Sequence, residues 1–189
     1  MIEVEAKYRL DDPDRFESAL LEKFEGQFLN EVEQRDIYYQ HPARDFAESD
    51  EALRIRQCGG RAILCYKGPR LDSVTKTRAE YESEFEEPVE ALTSILQALG
   101  FVACGSVRKR RRVFESSLFP GGSVAIDQVD GLGCFAEIEI VCEEAKREQA
   151  TTALLQFAAT LDLTESIRES YLQLLVTQGD RESSPDSDR

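Results

Sequence analysis

Charged residues recur along this chain at a spacing of two. They form Glu3-x-Glu5-x-Lys7, Arg54-x-Arg56, Arg78-x-Glu80-x-Glu82, Lys109-x-Arg111 and Glu137-x-Glu139, with Lys67 and Asp127 standing singly. Arginine forks and lysine ammonium groups grip phosphate oxygens, arginine often through two bonds at once. Paired carboxylates take hard divalent cations such as Mg²⁺ or Mn²⁺, and those cations in turn grip phosphate. Gathered in one place, the two sets would form a site for a metal-bound polyphosphate. A single pair carries little weight, because charged side chains mostly sit in water. The signal is the conjunction.

A spacing of two is the period of a β-strand. Ile2, Val4, Ala6 and Tyr8 alternate with Glu3, Glu5 and Lys7, which predicts a first strand there. The same reading predicts strands over Glu33–Gln40, Ala52–Cys58, Arg61–Lys67, Lys76–Glu86, Val107–Glu115, Ser123–Asp127 and Phe135–Cys142. Gly59-Gly60 marks a hairpin between the third and fourth. Helices are expected from Asp11-Asp12-Pro13 to Gly26, from Glu87-Pro88 to Gly100, over Glu143–Leu161 and over Glu165–Val176. Eight mostly hairpin-linked strands are enough to close an antiparallel barrel. The helices must bury their apolar stripes on the apolar strand faces, which turns the charged faces into the lumen. The expected class is therefore α+β: a closed eight-stranded antiparallel barrel with about four helices outside. A lumen carrying both signs is costly unless water, ions and a ligand fill it.

Three features carry no chemistry that the sequence alone can assign. Gln34, Asp36 and Tyr38 share a strand face and read as residues of the barrel mouth. His41, the single histidine, precedes a proline in a loop. The run Arg108 to Arg112, as a strand, shows half its charge to each side.

The chain has 189 residues, enough for one domain over 1–177, followed by a polar tail over 178–189 that is expected to be disordered. A net charge of -14 argues against general binding to nucleic acid or anionic membrane. No apolar run approaches the ~20 residues that span a bilayer. Charges at Glu3, Glu5 and Lys7 occupy the place where a signal peptide needs an apolar core. Five cysteines make an odd set without a C-x-x-C pair, read as free thiols of a reducing cytoplasm.

Glu3-Val4-Glu5-Ala6-Lys7 resembles the N-terminal motif of the CYTH family, the triphosphate tunnel metalloenzymes. The likeness continues through Arg54-x-Arg56, Lys67-Gly68-Pro69, Arg78-x-Glu80-x-Glu82, Lys109-x-Arg111, Asp127 and Glu137-x-Glu139, and so covers the chain up to Leu175. Within the family, the stretch from Asp127 to Glu139 and Ser170-Tyr171-x-x-Leu174-Leu175 resemble the class IV adenylyl cyclase branch. The resemblance implies an eight-stranded tunnel. It implies that Arg54, Arg56, Lys67, Arg78, Lys109 and Arg111 hold a triphosphate. Glu3, Glu5, Asp127, Glu137 and Glu139 would hold Mg²⁺ or Mn²⁺. Glu80 and Glu82 would lie near the metal and Lys7 close to the reacting phosphate or orienting its neighbours, the three making up the catalytic set. The expected reaction is conversion of ATP to cyclic AMP and pyrophosphate. Alternatives are hydrolysis of inorganic, thiamine or nucleoside triphosphate, and non-catalytic binding of nucleotide or polyphosphate. The branch resemblance also implies a homodimer.

Overall fold

The computed structural model describes residues 2–69, 78–86 and 89–183. Its elements run β1 (Ile2–Leu10), α1 (Pro13–Lys23), β2 (Gly26–Gln40), β3 (Ala52–Cys58), β4 (Arg61–Lys67), β5 (Arg78–Glu86), α2 (Glu90–Ala98), β6 (Val102–Ser116), β7 (Gly122–Val129), β8 (Gly133–Cys142), α3 (Arg147–Thr160) and α4 (Tyr171–Ser183). The strands close on themselves in the order β1-β5-β4-β3-β2-β6-β7-β8, and every pairing is antiparallel. The expected barrel and its four helices are therefore present. Gly59 and Gly60, at φ 57° and 80°, supply the two positive angles that the tight β3–β4 turn requires.

Alternation decides which face goes where. On β1, Val4, Ala6 and Tyr8 point outward into a core shared with Phe16 and Leu20 of α1, Ile138 of β8, and Leu154 and Phe157 of α3. Phe157 stacks on Phe119 with ring centres 4.5 Å apart. A second outer core joins Tyr39, Leu53, Ile55 and Ala62 to Leu96 of α2. Each fully buried Leu, Ile or Phe contributes roughly 1.5–3 kcal/mol by leaving water. With the outer faces thus occupied, Glu3, Glu5 and Lys7 have only the lumen. A third cluster, made of Tyr38, Val107, Val129, Leu132, Phe135 and Tyr171, fills one end of the barrel beneath α4.

The largest differences from the sequence reading lie in three elements. β2 and β6 are each longer than expected, because they ladder together from Gly26–Ser116 to Gln40–Val102 and satisfy backbone groups where alternation is absent. α4 begins at Tyr171 rather than near Glu165, and it continues to Ser183. Its start is set by a reciprocal cap: Gln173 N–H donates to Ser170 Oγ at 3.2 Å, and Ser170 N–H donates to Gln173 Oε1 at 2.7 Å. The preceding segment runs beside β1, with Ser166 bridging Tyr8 and Ile167 N–H donating to Lys7 O at 2.7 Å. Lys76, Glu87-Pro88 and the last six residues, 184–189, lie outside the described residues.

Candidate active site

Inside the barrel is a cavity of about 220 Å³. Lys7, Arg54, Arg56, Lys67, Arg78, Lys109 and Arg111 line it, together with Glu3, Glu5, Glu80, Glu82, Glu137 and Glu139. Every candidate from the sequence is on this wall except Asp127. The basic run of β6 divides as alternation demands. Lys109 and Arg111 face inward, while Arg110 donates to Gln128 and Arg112 pairs with Glu17 of α1 on the outside.

On the side built by β2, β3, β6 and β7, two aspartates anchor the cations. Asp36 receives Arg56 through two bonds, Nε–Oδ1 at 2.7 Å and Nη2–Oδ2 at 2.8 Å, with Arg54 Nη1 at 3.4 Å. Asp127 receives Arg111 in the same two-pronged way, at 2.7 and 2.6 Å. Lys109 Nζ at 2.7 Å and the Tyr171 hydroxyl at 2.9 Å also donate to Asp127 Oδ2. Burial alone would raise both carboxyls, but the neighbouring arginines outweigh it and hold each below its ordinary value. Asp127 is fully buried, and four donors already occupy its oxygens. It is an anchor for Lys109 and Arg111, and this geometry does not suit the metal-ligand role expected for it.

The other side, built by β1, β4, β5 and β8, gathers carboxylates around Lys67 among the described residues. Lys67 Nζ donates to Glu3 Oε1 at 2.8 Å and lies 2.9 Å from Glu80 Oε2 and 3.9 Å from Glu5 Oε2. Burial would push the Lys67 ammonium down, yet Glu3 and Glu5 raise it above the lysine range. Glu5 and Glu139 face each other across the β1–β8 register, and Ser123 Oγ donates to Glu139 at 3.1 Å. Burial, joined by repulsion from Glu3, Glu5 and Glu137, raises the Glu139 carboxyl. Glu137 sits on the border between the two sides, paired with Arg111 and 3.9 Å from Lys7 Nζ. Lys7 is 1% exposed; it donates to Glu169 O at 2.8 Å and lies 3.8 Å from the Tyr171 ring centre.

The crowded carboxylates fit a hard divalent cation on the chemistry of their donors: all are oxygen, and their mutual repulsion is what a cation relieves. Among the described residues, one set brings three donor atoms within 4.8 Å of one another, and it is Cys65, Glu80 and Glu82. The Cys65 thiol donates to Glu80 at 2.9 Å, and its soft sulfur is a poor match for a hard divalent cation.

Sequence reasoning leaves Asp36 and Tyr38 without chemistry and gives Tyr171 no place in the tunnel. The signal for Asp36 is its register with Arg56 across β2 and β3. Tyr171 has no such signal, because it enters the wall from a helix start that periodicity places five or six residues too early.

Three likenesses bear on this site. A protein of Methanocaldococcus jannaschii, provisionally named an adenylate cyclase, is 35% identical over 177 residues, covering 92% of this chain and 98% of the relative. A solved protein of Pyrococcus horikoshii is 38% identical and superposes with a TM-score of 0.83, covering 93% of this chain and 99% of that one. A Hippeastrum protein shares the fold at 21% identity and a TM-score of 0.65, over 94% of this chain and 95% of its own; it is provisionally named an adenylyl cyclase and described as having a dominant triphosphatase activity. The CYTH domain pattern matches residues 1–171, which hold β1 through β8 and the anchoring Tyr171, and the chain belongs to the CYTH family.

Proposed function

We propose that the tunnel binds a metal-bound triphosphate and that the protein is an adenylyl cyclase converting ATP to cyclic AMP and pyrophosphate. The observation that carries the reading is the enclosed wall where cations and carboxylates face each other across one cavity. Arg54, Arg56, Lys109 and Arg111 hold phosphate oxygens from one side, and Lys67 and Arg78 from the other. Held by Glu3, Glu5 and Glu139, with Glu137 alongside, Mg²⁺ or Mn²⁺ would neutralise charge on the phosphate oxygens. Transfers at phosphorus gain most from positioning and from fixed charge aimed at the oxygens, and Asp36 and Asp127 provide that fixity by locking the arginines. The ribose 3′-hydroxyl attacks the α-phosphorus, its bond to the bridging oxygen breaks, and pyrophosphate departs. Glu82, exposed at the rim, has room to take the hydroxyl proton, and Glu80 lies beside it. Lys7 adds positive charge next to Glu137.

The cyclase reading is supported by the name of the Methanocaldococcus relative. Hydrolysis of a triphosphate is the second reading, favoured by the Hippeastrum neighbour's described activity. Both would use the same side chains, with water replacing the hydroxyl. We also place the protein in the cytoplasm, consistent with unpaired cysteines at 58, 65, 104, 134 and 142, and as a homodimer, which sedimentation would test. The deciding experiment offers ATP and inorganic triphosphate in parallel with Mg²⁺ or Mn²⁺ and identifies the products. Cyclic AMP with pyrophosphate supports the cyclase. Orthophosphate without cyclic AMP makes it a hydrolase, and binding without turnover leaves a sensor.

A further inference from the structure

One buried carboxylate stands off the tunnel wall. Glu51 ends the loop between β2 and β3, and its side chain is 4% exposed. Arg44 Nη1 donates to its Oε1 at 3.0 Å, the Tyr66 hydroxyl of β4 donates to the same oxygen, and Ser49 Oγ donates to Oε2 at 2.6 Å. A charge taken out of water needs such a shell, and this one comes from the loop itself and from a neighbouring strand.

What the shell fixes is the residue in between. Asp50 has φ 58°, a left-handed angle that a residue with a Cβ keeps only where its surroundings hold it there. Ser49 is tied on one side, by its hydroxyl to Glu51 and by its N–H to Asp45 O at 3.1 Å. Glu51 is tied on the other, by its N–H to Phe46 O at 2.9 Å. So clamped, Asp50 turns its carbonyl to β5, where Arg78 Nη1 donates to it at 3.0 Å. Arg78 is 8% exposed and is one of the cations on the tunnel wall. A second thread reaches the same strand: the Tyr66 ring stacks on Tyr81, with ring centres 6.4 Å apart.

We infer that Glu51 is a positioning residue for the phosphate site: through the Asp50 carbonyl it sets the direction of the Arg78 guanidinium. The inference rests on the tunnel reading, in which Arg78 holds a phosphate oxygen, and adds a residue that touches no substrate. A long arginine side chain loses rotamer freedom when it grips a ligand. A carbonyl that already receives one of its nitrogens settles that cost in the fold, before the ligand arrives.

A double-mutant cycle on the full chain tests this. Its readout is calorimetric affinity, in Mg²⁺, for a methylene-bridged triphosphate whose P–C–P links resist cleavage. Arg78→Ala is expected to weaken binding about tenfold, the scale of one charged hydrogen bond. Glu51→Ala should weaken it about fivefold, and Glu51→Gln, which keeps an acceptor for Tyr66, by less than about twofold. In the Arg78→Ala background, Glu51→Ala should change affinity by less than about 1.5-fold, because the group it aims is gone. A mere loop staple would lower the denaturation midpoint in both backgrounds and leave affinity unmoved. That result, or equal weakening in both backgrounds, would overturn the inference while leaving the tunnel standing; so would an Arg78→Ala variant that binds as tightly as the unmodified protein. If Glu51→Ala does not fold, Tyr66→Phe runs the same cycle with an expected loss of about threefold. If the unmodified protein does not bind the analogue, the tunnel reading falls and the inference falls with it.

Discussion

The two sides of the tunnel wall solve opposite electrostatic problems. On one side, Asp36 and Asp127 each sit behind a pair of cations and are saturated by them. On the other, Glu3, Glu5 and Glu80 crowd around Lys67, and Glu139 lies opposite Glu5. The first arrangement satisfies both aspartates without a ligand and stiffens the barrel. The second, among the described residues, sets several carboxylates around one lysine. The side that braces the fold and the side where carboxylates crowd are therefore separable by substitution.

The largest effect is expected on the saturated side. Asp36→Asn removes the charge that satisfies Arg56 and Arg54, and breaking a buried pair costs about 3–5 kcal/mol. The pH dependence has a definite sign. The folded-state pKa of Asp36 lies below its unfolded value, so its contribution is present above the ordinary carboxylate value of ~4 and is lost as pH falls through the folded value. Urea denaturation should show the wild type's advantage over the variant steady from pH 7 to about 4 and shrinking as pH falls further. A difference that stays constant below pH ~4 as well would mean the carboxylate is not what Arg56 needs.

The crowded side should respond in the opposite way. Glu139→Gln is expected to lower divalent-dependent turnover by at least about 100-fold, as loss of a metal-holding group does. In metal-free protein its melting temperature should hold or rise, because burial and three neighbouring glutamates already disfavour the charged form. A destabilised but active Glu139→Gln would reverse the comparison.

Much of this contrast is legible in the order of the amino acids. Glu3-x-Glu5-x-Lys7 announces a strand with a charged face, and the count of strands announces closure. Inward charge then follows from the helices' need for apolar partners. What the order of residues does not reveal is which carboxylate meets which cation. Asp36 and Asp127 look alike in sequence to any acidic strand residue; their role depends on register with Arg56, Lys109 and Arg111 across neighbouring strands. The run Arg108 to Arg112 fixes no register by itself, since any phase shows basic groups on both faces. The start of α4 is hidden because its apolar periodicity extends back through Ile167, whereas the Ser170–Gln173 cap, a local hydrogen-bond preference, overrides periodicity.

The finest test lies within a single pair of arginines. Arg56 is locked to Asp36 by two short bonds, while Arg54 reaches Asp36 at 3.4 Å and the Tyr38 hydroxyl at 3.5 Å, both near the limit of a useful contact. Arg54 Nε, moreover, is buried without a hydrogen-bond partner among the described residues. A buried donor left unmatched costs free energy, which a phosphate oxygen entering the tunnel would recover. Both arginines line the cavity, but Arg54 is thus the looser arm, free to close on substrate, and Arg56 the arm that also braces Asp36. Arg54→Ala should raise the triphosphate KM about tenfold, the scale of one charged hydrogen bond, with little change in stability. Arg56→Ala should lower stability first, because it strips Asp36 of its two-bonded partner and leaves only the loosely held Arg54. Measured side by side, both variants should raise KM but only Arg56→Ala should also lower the denaturation midpoint; if both variants shift both quantities alike, arm and brace are one structural unit.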